Sequence, residues 1–264
     1  MCGRYVLYGP ENRIIEGFTI FEPDPFAKSF PRPFTARYNI APTTDVWVVS
    51  ANAQNQRELR NMRWGLIPNW AKDASIGAKM NNARAETVAE KPSFRNAFKR
   101  SRCLIPANGF YEWHTATVDG KIRKQPHYIH AVDDGLLAFA GLTERWIGSD
   151  GPVYTCCIIT TRPNAVMEPI HERMPVILGS ADFDRWLSPQ NRDVDALKKL
   201  LKPCPAQWLA EHPVDSSVNQ ARNDHAGLIL PSSVAPGSPT TTPSSTSGTT
   251  ASPPTMITAA SPPP

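Results

Sequence analysis

The sequence of 264 residues contains no apolar run that approaches the roughly 18 residues of a membrane-spanning helix. A secretory signal peptide is also missing, because the charged Arg4 is followed by no long apolar segment. The five cysteines form no C-x-x-C pair and no disulfide-like array, which argues against a metal site and against an oxidising compartment. We therefore expect a cytoplasmic protein, associated with the nucleoid if it is bacterial, that has no membrane association and binds no metal.

Motifs of several common enzyme classes are absent as well. There is no P-loop, no dinucleotide-binding fingerprint and no G-x-S-x-G nucleophile elbow, so the sequence predicts no cofactor. The net charge of +4 is mildly basic and permits a nucleic acid partner without requiring one. Neither a heptad pattern nor a large apolar stripe indicates an oligomer, and we expect a monomer.

Charged residues are absent from residues 232–264, a segment composed mainly of Ser, Thr, Pro, Gly and Ala. Such a composition buries too little apolar surface to offset the entropy lost on ordering the chain. The rest of the chain supports one sizeable core, since 41% of all residues are hydrophobic. The sequence therefore predicts a folded domain over residues 1–231 and a disordered Pro/Ser/Thr-rich tail over residues 232–264.

The folded part alternates short β-type segments with turns and has few helical segments. Strands are predicted over residues 4–8, 46–49, 59–66, 102–113, 127–132, 136–142, 154–160, 176–178 and 212–214. Short helices are predicted over residues 11–18, 92–99, 181–187 and 193–201, and a proline-rich loop over residues 21–33. This pattern predicts an α+β fold, in which a single domain is built on a curved, mostly antiparallel, barrel-like β-sheet with flanking short helices.

The main chemical signal is at the start of the chain, where Cys2 directly follows the initiator methionine. Loss of Met1 leaves an α-amine with a reference pKa of about 7.7–8.0 beside a thiol with a reference pKa of about 8.5. Both groups can add to one aldehyde carbon: the amine forms an imine, and the thiol then closes a five-membered thiazolidine. We hypothesise covalent chemistry at Cys2. The alternative is an ordinary thiol on a frayed terminus.

Several polar residues interrupt apolar or aromatic segments and are further candidates. Glu112 lies among aromatic residues, where a carboxyl with a raised pKa can transfer protons; the alternative is a side chain that faces away from the core. His171 is either a proton carrier at neutral pH or a hydrogen-bonded structural residue. Three arginines beside these motifs are candidates for bidentate phosphate contact, although each could be an ordinary surface residue: Arg4, Arg84 and Arg173.

Two tryptophans, Trp64 and Trp70, flank a short apolar stretch. We expect one of them to belong to the core. An exposed tryptophan near arginines is suited to stacking on a base of single-stranded nucleic acid.

Six motifs in this order resemble those of the SRAP family, the SOS-response-associated peptidases, which are also described as abasic-site processing proteins. The motifs are MCGRY (1–5), RYNIAP (37–42), WGLIP (64–68), NARAET (82–87), CLIPANGFYEW (103–113) and HERMP (171–175). A weaker block lies at residues 212–219, and the resemblance covers about residues 1–231.

The resemblance implies a protein that shields abasic sites in single-stranded DNA by a covalent thiazolidine cross-link through Cys2. It leaves autopeptidase and DNA lyase activity open. It implies that Asn82 holds the sugar or the terminal amine, that Glu112 handles protons, and that His171 assists sugar ring opening and cross-link reversal. It implies DNA contacts for a further set of residues: Arg4, Asn39, Pro42, Trp70, Arg84 and Arg173.

Two other functions stay open from the sequence. One is a thiol peptidase that uses Cys2 with His171 and Glu112 on itself or on other proteins. The other is a non-covalent reader of modified DNA, which predicts binding that survives the substitution Cys2→Ala.

Overall fold

A computed structural model describes residues 2–20, 34–118 and 121–232. The predicted loop at residues 21–33 lies outside the described residues, and so does the predicted tail apart from Ser232. Within the described ranges, no helix is both long and apolar enough to cross a membrane.

The described residues form twelve strands and four short α-helices. The strands are β1 (Arg4–Leu7), β2 (Arg37–Ile40), β3 (Asp45–Ala51), β4 (Arg57–Trp64), β5 (Asn82–Arg84), β6 (Arg102–Ala107), β7 (Gly109–Val118), β8 (Lys121–Ala131), β9 (Leu137–Gly148), β10 (Gly151–Thr161), β11 (Met174–Pro175) and β12 (Leu209–Pro213). The helices are α1 (Glu11–Gly17), α2 (Arg95–Arg100), α3 (Phe183–Leu187) and α4 (Val194–Lys198). The predicted short helices are therefore confirmed, with ends that differ by a few residues.

Five strands close into a barrel in the order β10-β4-β3-β6-β9, and β9 returns to β10. Strands β4 and β10 run parallel, with Thr155 opposite Arg63, whereas the other four pairings in the barrel are antiparallel. Strand β5 also pairs with β10 in parallel, and β11 pairs with it antiparallel. The predicted α+β fold with a mostly antiparallel, barrel-like sheet is confirmed.

A second sheet of five antiparallel strands, in the order β12-β8-β7-β1-β2, packs against the barrel. From its inner face, Tyr5 and Phe110 meet Phe139 of the barrel edge to face, with ring centroids 6.1 and 5.8 Å apart. Its outer face carries a smaller core around Tyr111 and Tyr128. Segments that follow β12 cover this core, so the sheet is packed on both sides.

The prediction of one strand over residues 102–113 was wrong, since the chain changes sheets at Asn108. Strand β6 belongs to the barrel, and β7 belongs to the second sheet. The main-chain N–H of Asn108 donates to the carbonyl of Val6 at 2.8 Å, and its side-chain oxygen accepts the N–H of Tyr8 at 2.7 Å. These two contacts turn the backbone away from the barrel. Apolar residues stand on both sides of the turn, so the sequence pattern alone hid the break.

The segment after β4 folds back on itself at Gly65, which has a φ of +136°. A Cβ atom at Gly65 would lie 2.6 Å from the carbonyl oxygen of Gly77, so this close approach requires glycine. Trp64 is fully buried, and its indole N–H donates to the carbonyl of Asn81 at 2.9 Å. Trp70 is 55% exposed, which confirms that one tryptophan of the pair belongs to the core. After this turn the chain continues into β5, which pairs with β10.

Candidate active site at the start of the chain

Cys2 lies in the interior, at the end of β1 that adjoins Glu112. Strand β1 pairs with β7 so that Arg4 is opposite Tyr111, and extending this register places the preceding residues beside Glu112. Cys2 is fully buried, and its carbonyl oxygen accepts a hydrogen bond of 2.8 Å from the side-chain amide of Asn82. Burial raises the pKa of the Cys2 thiol, and the nearby Glu112 carboxylate raises it further. The thiol is therefore protonated at neutral pH in this state.

Asn82 reaches Cys2 because β5 runs parallel to β10, with Asn82 opposite Ile158. Its side-chain nitrogen donates to the carbonyl of Cys2, whereas its side-chain oxygen is buried and has no hydrogen-bond partner among the described residues. A buried acceptor without a donor costs free energy, so this oxygen is suited to a hydroxyl or an ammonium group of a ligand. The neighbouring Asn81 contributes its main-chain oxygen to Trp64 and to the N–H of Ile158.

Glu112 and His171 form the acid–base part of the site. Glu112 is 2% exposed, and burial raises the pKa of its carboxyl to about 7. The Nε2 atom of His171 lies 3.8 Å from Oε2 of Glu112, and burial lowers the pKa of the imidazole. The main-chain N–H of Arg173 donates to Nδ1 of His171 at 2.9 Å, which leaves the proton of the neutral ring on Nε2, facing Glu112. The carboxyl of Glu112 can therefore exchange protons near pH 7, and burial favours the neutral form of His171.

Arg173 adjoins this centre, but its guanidinium already has partners. Its two terminal nitrogens donate to the two carboxylate oxygens of Glu86 at 2.7 and 2.9 Å, and one of them also donates to the carbonyl of Thr160 at 2.7 Å. Arg84, by contrast, is exposed at the end of β5. The sequence analysis did not single out Glu86, although it lies in the NARAET motif two residues after Arg84.

Arg4 and Asn39 face the outer side of the second sheet and are bonded to each other. One terminal nitrogen of Arg4 donates to Oδ1 of Asn39 at 2.7 Å and to the carbonyl of Val218 at 3.0 Å. Asn39 is 1% exposed, and its amide nitrogen lies 2.9–3.1 Å from three main-chain carbonyls of the following segment: Val218, Gln220 and Asn223. Both residues thus hold the segment 216–223 against the sheet, a contact that the sequence analysis missed.

Pro42 and Trp70 lie in surface segments. Pro42 is half-buried in the turn between β2 and β3, next to Thr43, whose φ is +70°. Trp70 borders a cavity of about 310 Å³ that Lys72 and Lys79 also line. The carboxylate of Asp73 lines it as well, so the cavity combines one aromatic side chain with charges of both signs.

Four of the predicted site residues, brought from four different parts of the chain, therefore meet around one buried centre: Cys2, Asn82, Glu112 and His171. A family model described as SOS response associated peptidase (SRAP) matches residues 1–221. The chain belongs to the SRAP family. The SRAP match includes all twelve described strands and the whole of this centre.

Named relatives of this SRAP chain agree with that assignment. It is similar to abasic site processing protein YoqW of Bacillus subtilis (strain 168), with 46% identity over 230 residues, 87% of this chain and 99% of that protein. Abasic site processing protein YoaM of the same organism is 45% identical over 231 residues, 87% of this chain and 97% of its own length. Abasic site processing protein HMCES of Gallus gallus is 33% identical over 202 residues, which cover 67% of this chain and 58% of that protein.

Solved structures share the SRAP fold seen here. A protein from Bacteroides thetaiotaomicron superposes with a TM-score of 0.74 at 24% identity, over 88% of this chain and 100% of that one. At this identity the likeness concerns the fold alone. A phage-related protein from Bordetella bronchiseptica gives a TM-score of 0.62 at 28% identity, over 81% of this chain and 94% of its own.

Proposed function

We propose that this protein recognises an abasic site in single-stranded DNA and cross-links to it through the amine and thiol of Cys2. The observation that carries the proposal is the meeting of Cys2, Asn82, Glu112 and His171 around one buried centre. The names of its relatives, abasic site processing proteins from bacteria and vertebrates, support it.

The chemistry is a condensation that needs no oxidant or reductant. The abasic deoxyribose opens to an aldehyde, and the Cys2 amine, freed by removal of Met1, attacks its C1′ carbon to give a carbinolamine. Loss of one water forms the imine. The Cys2 sulfur then bonds to the carbon of this imine, which is still protonated on its nitrogen, while the thiol proton goes to the Glu112 carboxylate, and the thiazolidine is closed.

The surrounding side chains supply the proton transfers. Glu112, with a pKa of about 7, donates a proton to the departing hydroxyl and accepts the thiol proton afterwards. His171 faces Glu112 and assists opening of the sugar ring and reversal of the cross-link. The free side-chain oxygen of Asn82 accepts a hydrogen bond from the sugar or from the Cys2 amine.

Residues around the centre contact the DNA strand. Arg84 is exposed at the mouth of the site and binds a phosphate, and Trp70 stacks on a base. We keep the predicted DNA contacts of Arg4, Asn39, Pro42 and Arg173 as part of the proposal. For Arg4 and Asn39, we propose that the DNA contact is made through the segment 216–223, which these two side chains hold in place.

The decisive experiment mixes purified protein with a single-stranded oligonucleotide that carries one abasic site and resolves the products on a denaturing gel. Wild type is expected to give a heat-stable shifted band. Cys2→Ala and a variant with one extra residue before Cys2 are expected to give none, since each lacks half of the aminothiol. An oligonucleotide without the lesion is the control.

Two results would change the conclusion. Native binding by wild type without any denaturant-resistant band would favour a non-covalent reader of DNA. A band that survives Cys2→Ala would indicate another nucleophile or a lyase-type imine.

A second activity, removal of Met1 by the site itself, is favoured by the closeness of Glu112 and His171 to Cys2. Mass spectrometry of Glu112→Gln and His171→Ala tests it. Retention of Met1 in these variants, together with its loss in wild type, is the result expected of self-cleavage. Complete loss of Met1 in every variant points instead to a general aminopeptidase.

A further inference from the structure

The pair of Glu86 and Arg173 stands out because a carboxylate occupies the guanidinium face that the proposed function assigns to a phosphate. Both terminal nitrogens of Arg173 donate to Glu86, at 2.7 and 2.9 Å, in a bidentate arrangement. Carboxylate and phosphate oxygens present the same geometry to a guanidinium. In the absence of a strand, the positive charge of Arg173 is therefore neutralised.

The two partners differ in how firmly they are held. The Arg173 side chain is only 12% exposed, one of its nitrogens also donates to the carbonyl of Thr160 at 2.7 Å, and its main-chain N–H holds His171. The Glu86 side chain is 52% exposed. Hydrogen bonding to Arg173 lowers the pKa of Glu86, and Arg84 adds to the lowering, so this carboxylate stays charged and lies within reach of a second cation. Glu86 can leave without moving the acid–base centre, whereas Arg173 cannot.

We propose that Glu86 is a specificity-determining residue, whose carboxylate is exchanged for a backbone phosphate of the strand at Arg173. The inference rests on the proposed function, because it needs a nucleic acid strand at this site. The exchange requires an anion that binds Arg173 better than the attached carboxylate does. A free anion in solution competes poorly with the carboxylate of Glu86 for Arg173, whereas a phosphate of a strand that is already bound competes well. The released Glu86 turns towards Arg84 or water.

The exchange predicts that removing the charge of Glu86 strengthens strand binding. Binding of an undamaged single-stranded oligonucleotide is measured by fluorescence anisotropy over a range of salt concentrations. Glu86→Gln is expected to bind about two- to fivefold more tightly, as for loss of a competing ion pair. The slope of log K against log salt is expected to stay the same, because the exchange gives wild type and Glu86→Gln the same number of phosphate contacts in the complex.

Matched variants isolate the effect. Asp184→Asn removes an exposed acid that pairs with Arg57 at 2.6 Å, so it changes the net charge equally and is expected to leave the affinity unchanged. Arg173→Gln combined with Glu86→Gln is expected to bind no better than Arg173→Gln alone, because the gain acts through Arg173.

If thermal unfolding shows that Glu86→Gln folds poorly, Glu86→Asp replaces it. The shorter side chain of aspartate weakens the pair with Arg173, and this variant is expected to raise the affinity less than Glu86→Gln.

Weaker or unchanged binding by Glu86→Gln would overturn the proposal, and weaker binding would assign Glu86 the role of merely holding Arg173. A steeper salt slope in Glu86→Gln would overturn it as well, because wild type would then lack the phosphate contact at Arg173. These outcomes neither support nor contradict the proposed cross-linking function. The binding assay uses undamaged DNA, whereas cross-linking is scored on the abasic oligonucleotide. Wild type that cross-links while Glu86→Gln shows no gain refutes only the exchange at Arg173. Wild type that fails to cross-link while Glu86→Gln binds more tightly refutes only the covalent chemistry.

Discussion

At the scale of single residues, Glu112 is the most unusual member of the candidate site, since its side chain is ionisable and nearly fully buried. A carboxyl in such a place is costly for the fold when it is charged. Its pKa of about 7 makes it both an acid and a base at neutral pH. The raised pKa and a loss of stability thus come from one cause, the removal of water from the carboxyl.

The raised pKa predicts a pH-dependent stability difference between wild type and Glu112→Gln. The unfolded carboxyl titrates near its ordinary pKa, so between that pH and about 7 the folded state holds a proton that the unfolded state has lost. Wild type should therefore lose stability as pH rises through this window, by at most about 3 kcal/mol relative to the glutamine variant. Thermal unfolding of both proteins from pH 4 to pH 8 measures it.

The same substitution should slow formation of the cross-link at every pH, because glutamine cannot transfer the proton. Equal pH dependence of stability in both proteins would show that Glu112 does not titrate in this range.

At the scale of elements, the segment 216–223 depends on one buried amide. Asn39 accepts from Arg4 and donates to main-chain carbonyls of this segment, so its removal leaves several polar groups without partners. We expect Asn39→Ala to cost about 2–3 kcal/mol of the free energy of unfolding. Faster hydrogen exchange is expected at the main-chain amides of residues 216–223.

Chemical denaturation and hydrogen exchange followed by mass spectrometry are the measurements. Asn52→Ala, in the exposed turn between β3 and β4, is the control and should leave exchange in the segment 216–223 unchanged. Unaltered exchange there in Asn39→Ala would show that the amide does not hold this segment.

Runs of apolar and β-branched residues predicted most strands, because the burial of a strand is recorded in its own residues even where both faces are buried, as in β6. The path from β6 to β7 was mispredicted, since the change of sheet at Asn108 depends on contacts with Val6 and Tyr8, about a hundred residues away. The resemblance singled out the four residues that meet at the buried centre, and the roles it implies for them stay predictions. It could not reveal the pair of Glu86 and Arg173, because an ion pair between distant residues leaves no local pattern.

At the scale of the whole molecule, the segments that follow β12 complete the outer core of the second sheet. Val218 and Leu228, from the segments after β12, fill the outer core of the second sheet, and Val214 pairs with Pro231. The family match ends at residue 221, and the match to YoqW covers 87% of the chain. The domain boundary near residue 231 is a prediction that a truncation can test.

A chain truncated after Ser232 is expected to unfold at the same temperature as the full chain and to cross-link at the same rate. Truncation after Pro213 removes Val218 and Leu228 from the outer core and should lower the unfolding temperature by about 4 °C or more. Calorimetry and the denaturing gel compare the three proteins. A lower unfolding temperature after truncation at Ser232 would show that residues beyond Ser232 contribute to the stability of the folded domain.

The burial of Cys2 has a consequence for the timing of maturation. Strand β1 is synthesised first, but its neighbour β7 and the Asn82 that holds Cys2 emerge from the ribosome much later. The barrel cannot close before β10 is complete, since β4 and β9 both pair with it, and contacts so distant along the chain form slowly. During that interval the first residues of the nascent chain are accessible to an aminopeptidase. Once β1 has docked, Cys2 is enclosed, and the removal of Met1 that the proposed function requires is then expected to depend on the site itself.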